Sequence, residues 1–163
     1  MFDAPTDGRF PVRKRPVHTL PQDYLDRSTI IFLTVCTKER RRILDNETAH
    51  RELRSAWEAA DRWLVGRYMI MPDHVHFFCA PGSVPAMALR DWTRYWKSRT
   101  TRILGLGEGN LWQTDFWDVQ LRRRERYELK WDYVRQNPVR AGLTANSAAW
   151  PFQGELHEMR WRG

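Results

Sequence analysis

A chain of 163 residues with nine Trp and a 13% aromatic share is the size of one ordinary domain and too rich in large apolar side chains to stay disordered. Its 27 Lys and Arg against 20 Asp and Glu leave a formal charge of +7, which points to a polyanionic partner, nucleic acid first, because neutralised phosphates release counterions. No apolar run is long enough to span a bilayer, and the distant Cys36 and Cys79 are expected as reduced, buried thiols of a cytoplasmic protein rather than a disulfide.

Residues 1–27 carry Pro5, Pro11, Pro16 and Pro21 among scattered basic residues and read as an extended N-terminal arm. Without an apolar stretch, Met1 to Arg15 is not expected to be a signal peptide. Ser28 to Thr37 is dense in β-branched and aromatic residues, which predicts a strand, and Lys38 to Arg42 a charged turn. From Asn46 to Arg62 the apolar residues Leu53, Trp57 and Ala60 recur at helical spacing, with Asn46 as N-cap. Trp63 to Met71 and His74 to Ala80 are predicted as two strands of a hairpin around Pro72-Asp73.

Val84 to Leu104 predicts a second helix, followed by a glycine-rich loop at 105–110. That loop lacks the strand before and helix after that a nucleotide-binding fingerprint requires. Phe116 to Leu121 is a fourth strand, and Arg124 to Asn137 a third helix stopped by Pro138. The order β-α-β-β-α-β-α predicts an α+β sandwich of ferredoxin-like, RRM-like type.

Two places carry chemistry. On a strand, His74 and His76 project from one face and can reach one ion, while Val75 turns to the other. A pair of half-buried structural histidines reads the same way, and Asp73 either caps the turn or orients an imidazole. On the third helix, Tyr127, Trp131 and Val134 form an apolar stripe from which Tyr133 points away, with Asn137 at i+4. A phenol can attack a phosphodiester when a metal polarises the phosphate, and an amide oxygen can serve that ion. The alternative is a Tyr133 packed on a second surface and an Asn137 that only caps the helix.

Three segments, YMIMPDHVHFF (68–78), LWQTDFWDVQLR (111–122) and WDYVRQNPVRAGL (131–143), fall in the order and spacing of one known family. The chain resembles the REP-associated tyrosine transposases, relatives of the single-tyrosine HUH transposases of small insertion sequences, from about Ile30 to Leu143. The resemblance implies a transposase domain over 28–143 with a C-terminal tail at 144–163. It implies that His74, His76 and Asn137 hold a divalent ion, Mg²⁺ or Mn²⁺. Tyr133 would attack DNA and keep the 5′ end as a phosphotyrosine.

The implied substrate is single-stranded DNA bearing a hairpin. Arg90, Arg94, Lys97 and Arg99 on the second helix, the cluster Arg122, Arg123 and Arg124, and Arg140 are the cations expected to meet it. Trp92 and Trp96, interleaved with the first four, are expected in the core. In the tail, Trp150-Pro151-Phe152 is expected to dock on the core, with His157 and Arg160-Trp161-Arg162 extending toward DNA. Relatives act as monomers or homodimers. The alternatives are a catalytically idle hairpin-binding protein domesticated from a transposase, and an RNA-binding domain, against which stands the lack of an aromatic-rich RNP1 run.

Overall fold

Alternation in the strands and i, i+3, i+4 spacing in the helices build a sheet covered on both faces. The computed structural model describes residues 30–83, 85–105, 107 and 109–159, so the arm at 1–27 and Arg160-Trp161-Arg162 lie outside the described residues. The elements are β1 (Ile30–Cys36), α1 (Glu47–Ala59), β2 (Trp63–Met71), β3 (His74–Pro81), α2 (Leu89–Ile103), β4 (Trp117–Leu121), α3 (Arg124–Val134), the short α4 (Asn137–Arg140) and β5 (Gln153–Glu155). The strands form one antiparallel sheet in the order β4-β1-β3-β2-β5. Its first four strands have the ferredoxin-like order expected from the sequence.

Period-two alternation divides the core between two faces. Leu33, Val35, Val75 and Phe77 point to the face covered by α1 and α2, where Trp57, Trp92 and Trp96 meet them. The Phe77 ring lies 5.1 Å from Trp57 and 5.8 Å from Trp96. Trp92 and Trp96 are buried, as their spacing predicts. Phe32 and Phe78 point to the opposite face, covered by Tyr127 and Val134 of α3 and by Trp150. Asn46 caps α1 by accepting from the Ala49 N–H at 2.9 Å.

Two helices differ from their sequence patterns. α2 begins at Leu89 rather than Val84, which lies outside the described residues. The carbonyls ahead of it are taken by side chains: Ser83 Oγ donates to the Pro85 carbonyl and Trp63 Nε1 to that of Met87. α3 ends at Val134 instead of running to Asn137. The proline at 138 disfavours a continued helix through the residue before it. The chain restarts as α4, where Pro138 sits in the first turn and needs no amide partner.

The segment after Leu143 is built into the sheet. Trp150 is buried and its Nε1 donates to the Ile70 carbonyl at 2.9 Å, while Ile70 N–H bonds to the Phe152 carbonyl. β5 then pairs with β2, and the His157 N–H reaches the Val65 carbonyl, leaving the His157 side chain exposed. Gly66 lies at a β2 irregularity against this segment; a Cβ there would meet Met159 Cγ at 2.7 Å. Beside it, Arg67 pairs with Glu128 of α3 at 3.0 Å and Glu155 of β5 at 3.3 Å, its guanidinium 5.2 Å from the Tyr127 ring centre. Among the described residues no helix is long and apolar enough to cross a membrane.

Because Trp150 fills the α3 face, Trp150→Ala is expected to destabilise the protein by about 3 kcal/mol. Equilibrium denaturation by urea checks this; a change under about 0.5 kcal/mol, the size of an ordinary surface substitution, would show the segment to be an appendage.

Candidate functional site

β3 starts directly after the Pro72-Asp73 turn, and its alternation aims His74 and His76 at the α3 face. The two Nε2 atoms converge to 3.1 Å, with the rings nearly perpendicular at 80°. Each Nδ1 is engaged on the far side. His74 Nδ1 lies 2.7 Å from Asp73 Oδ1, and His76 Nδ1 lies 2.8 Å from Thr34 Oγ1 on the neighbouring strand. Phe32 stacks on the His76 ring at 5.3 Å and 18°.

Asp73 therefore orients an imidazole, the second of its two sequence readings. Its other oxygen accepts from Arg40 Nε at 2.9 Å. Burial opposes ionisation of Asp73, but the hydrogen bonds from His74 and Arg40 outweigh it and hold the carboxyl well below the usual range. Arg40 reaches that position from a turn in which Glu39 and Arg40 take left-handed φ angles of 59° and 53°, a conformation that costs L-residues roughly 1–2 kcal/mol each. Arg40 Nη1 also donates to Cys36 Sγ at 3.3 Å. Burial pushes the Cys36 thiol up to about 11 despite that cation, so both buried cysteines stay protonated thiols.

Burial, and then the electrostatic effect of His74, Lys130, Arg40 and Arg140, hold His76 well below its ordinary value. A neutral imidazole is the ligating form. Two nitrogens at adjacent corners of an octahedral ion with bonds of about 2.1 Å stand about 3.0 Å apart, close to the 3.1 Å observed. The pair thus fits a divalent cation, with a carboxylate and a hydroxyl behind the ligands. Among the described residues no third His, Cys, Asp or Glu joins it, so further donors would be amide, water or phosphate oxygens.

α3 crosses the same face. Its Tyr127 packs on Phe78 at 4.5 Å, and Lys130 Nζ lies 4.8 Å from the centre of Phe32, the ring stacked on His76. Tyr133 is half-buried on this helix. The helix break leaves Asn137 on α4, and Arg140 joins the two residues. Its guanidinium lies 4.0 Å from the Tyr133 ring centre and donates to the Tyr133 carbonyl and to Asn137 Oδ1. Asn137 Oδ1 is thus turned to a cation on its own helix.

Residues 27–124 match the family described as transposase IS200 like. The chain belongs to the IS200-like transposase family. It is 30% identical to the REP-associated tyrosine transposase of Escherichia coli (strain K12) over 125 residues, 74% of this chain and 73% of the relative. A solved structure of a REP-associated tyrosine transposase bound to a REP hairpin superposes with a TM-score of 0.66 at 26% identity, covering 78% of this chain and 76% of that one. The IS200-like match takes in β1 to β4 and both histidines and stops at the first residue of α3, short of Tyr133, Asn137, Arg140 and β5.

The cations expected at DNA divide between the two layers of this transposase fold. Arg90, Arg94, Lys97 and Arg99 lie on α2, which packs on the face away from the histidines. Arg90 is 3.5 Å from Asp115. Lys97 donates to the carbonyls of Gln113 and Thr114, and burial pulls its ammonium down to about 8; it holds the segment leading into β4. Arg94 is exposed and Arg99 half-buried. Arg122, Arg123 and Arg124 are all exposed where β4 leads into α3, on the way to the histidine layer.

Thr34, Arg40 and Lys130 were not singled out in the sequence. The alternation of Ile30, Phe32, Thr34 and Cys36 puts a lone polar residue among apolar neighbours, a signal that became specific once the register paired Thr34 with His76. The Arg40 signal was only a charge run, and its contact with Asp73 depends on the left-handed turn.

Asp73→Asn removes a carboxylate shared by His74 and Arg40 and is expected to destabilise the protein by about 2 kcal/mol at pH 7. A depressed folded-state pKa stabilises above the unfolded value of about 3.9, and that contribution fades as pH falls further. The gap between wild type and Asp73→Asn in urea unfolding should therefore be full at pH 6–7 and shrink below pH 4; a gap constant down to pH 2.5 would contradict the pairing.

Proposed function

We propose that this transposase-family protein is a metal-dependent enzyme that nicks and rejoins single-stranded DNA carrying a hairpin, with Tyr133 as nucleophile. The observation that carries the reading is the convergence of the His74 and His76 Nε2 atoms at 3.1 Å on the sheet face crossed by the tyrosine helix. The hairpin comes from the related transposase structure, which is bound to a REP hairpin. The charge of +7 and the exposed Arg122, Arg123 and Arg124 suit the phosphates of such a strand.

His74 and His76 would hold the divalent ion, Mg²⁺ or Mn²⁺. Bound there, it would supply positive charge to the scissile phosphate and help the departing oxygen leave. Asn137 is the third donor in this reading, and to act it must exchange the Arg140 guanidinium for the ion. The Tyr133 oxygen forms the new bond to phosphorus while the bond to the 3′ oxygen breaks, giving a 5′-phosphotyrosine and a free 3′-OH. One phosphodiester replaces another, so a 3′-OH can reverse the step without ATP. Arg140 lies against the Tyr133 ring, and in this reading it would meet the phosphate that Tyr133 attacks.

Incubation of the protein with a labelled hairpin-bearing single strand and Mn²⁺ should give a covalent adduct that survives denaturing electrophoresis. Tyr133→Phe should abolish the adduct and keep hairpin binding. Tight binding with no adduct under any divalent ion would instead favour a domesticated hairpin-binding protein, which the engagement of Asn137 Oδ1 by Arg140 would suit. Arg140→Ala should slow adduct formation on the order of 10²-fold, read as single-turnover rates; an unchanged rate would remove Arg140 from the chemistry. Mixing Tyr133→Phe with His76→Ala protein separates the two assemblies: adduct recovered in the mixture means a dimer that shares its tyrosine between subunits, and none means action within one chain.

A further inference from the structure

The partners behind the two imidazoles are of different kinds. An ionised carboxylate only accepts, so Asp73 fixes the hydrogen of His74 on Nδ1 and leaves the Nε2 lone pair free. A hydroxyl both donates and accepts, so Thr34 fixes neither tautomer of His76. Two bare lone pairs do not face each other at 3.1 Å; the gap accommodates either a hydrogen or a cation, and the tautomer of His76 decides which.

We propose that Thr34 is the positioning residue of the histidine pair, its hydroxyl donating to His76 Nδ1 when the imidazoles share a hydrogen and accepting from it when they share a divalent cation. The inference rests on the metal reading above and adds how the pair exchanges one partner for the other. In the first state His76 carries its hydrogen on Nε2 and donates it to His74 Nε2, completing a chain from Thr34 through both rings to Asp73. In the second, that hydrogen is lost from Nε2 to solvent as the cation enters and one from solvent is taken up at Nδ1, where the Thr34 oxygen accepts its hydrogen bond. The imidazole is neutral in both states and no net proton is exchanged.

The surroundings confine the change to the tautomer of His76 and the rotation of one hydroxyl. His76 and Thr34 are both buried, at 7% and 5% exposure, so an Nδ1 hydrogen with no acceptor would go unsolvated. Phe32 stacks flat on the His76 ring and β1 pairs Thr34 directly opposite His76, so the ring has no room to turn away. His74 is the fixed ligand and His76 the adjustable one. A carboxylate or carbonyl in place of the Thr34 hydroxyl would lock the cation-ready tautomer; a methyl would support neither.

The test uses the full chain with ¹⁵N-labelled histidine. Long-range ¹H–¹⁵N spectra should place the His76 hydrogen on Nε2 in metal-free buffer and on Nδ1 after addition of Mg²⁺, with His74 on Nδ1 throughout. Thr34→Val, nearly the same shape, should weaken Mn²⁺ binding about 10–100-fold, read by electron paramagnetic resonance of free Mn²⁺. Thr34→Ser, which keeps the hydroxyl and controls for folding, should bind like wild type. An Nδ1 hydrogen on His76 in both conditions, or wild-type Mn²⁺ affinity in a folded Thr34→Val, would overturn the proposal. His76→Ala separates the two levels. If it also binds Mn²⁺ like wild type, the metal reading fails; if it loses Mn²⁺ while Thr34→Val keeps it, only the role of Thr34 fails.

Discussion

The pairing of β1 with β3 sets Thr34 opposite His76 and Cys36 opposite His74, and the rest of the site is arranged around those two pairs. A slip of one residue would turn each side chain of the slipped strand to the other face. Here neither face has slack. Leu33 against Phe77 and Val35 against Val75 are buried under the tryptophans of α1 and α2, and Phe32 against Phe78 is buried under α3. Hydrophobic packing on one side thus fixes the polar geometry on the other, so the site needs few residues of its own to be rigid.

Placing imidazoles inside a sheet leaves polar atoms that must find partners. The chain supplies them from separate elements: Thr34 from β1, Asp73 from the hairpin turn and Arg40 from the turn after β1. That turn holds two residues in left-handed backbone, neither of them glycine. Such a conformation persists where surrounding contacts determine it, and here the charge-assisted bond from Arg40 to Asp73 is one of them. The strain belongs to the support of the site rather than to a ligand.

Much of this was legible in the sequence where a signal was local. Trp63 to Met71 has the observed limits of β2, Asn46 caps α1 as its side chain suggests, and the HVH spacing put both imidazoles on one face. Trp92 and Trp96 were readable as core from helical spacing. The misses have non-local causes. Gln153–Glu155 is a short polar stretch with no strand propensity; it becomes β5 because Trp150 anchors it beside the free edge of β2. Asn137 leaves the helix of Tyr133 because Pro138 acts on the residue before it, a break that the i+4 spacing does not show. Lys97 reads by sequence as one of the cations for DNA, and its ammonium donates to two carbonyls brought in from residues 113 and 114, which no local pattern signals.

Arg67 serves two masters, a carboxylate on the tyrosine helix and one on the last strand. All three side chains are partly open to solvent, at 28%, 46% and 41% exposure, so dissolved ions weaken both links together within a screening length of about 8 Å at physiological strength. Ionic strength therefore acts on this molecule in two ways: it competes for DNA phosphates, as for any basic protein, and it loosens the brace between α3 and the sheet edge. For the strand cleavage proposed above, a salt dependence would contain a mechanical part as well as a binding part, and substitution of Glu155 alone would alter the first while leaving Arg122, Arg123 and Arg124 in place.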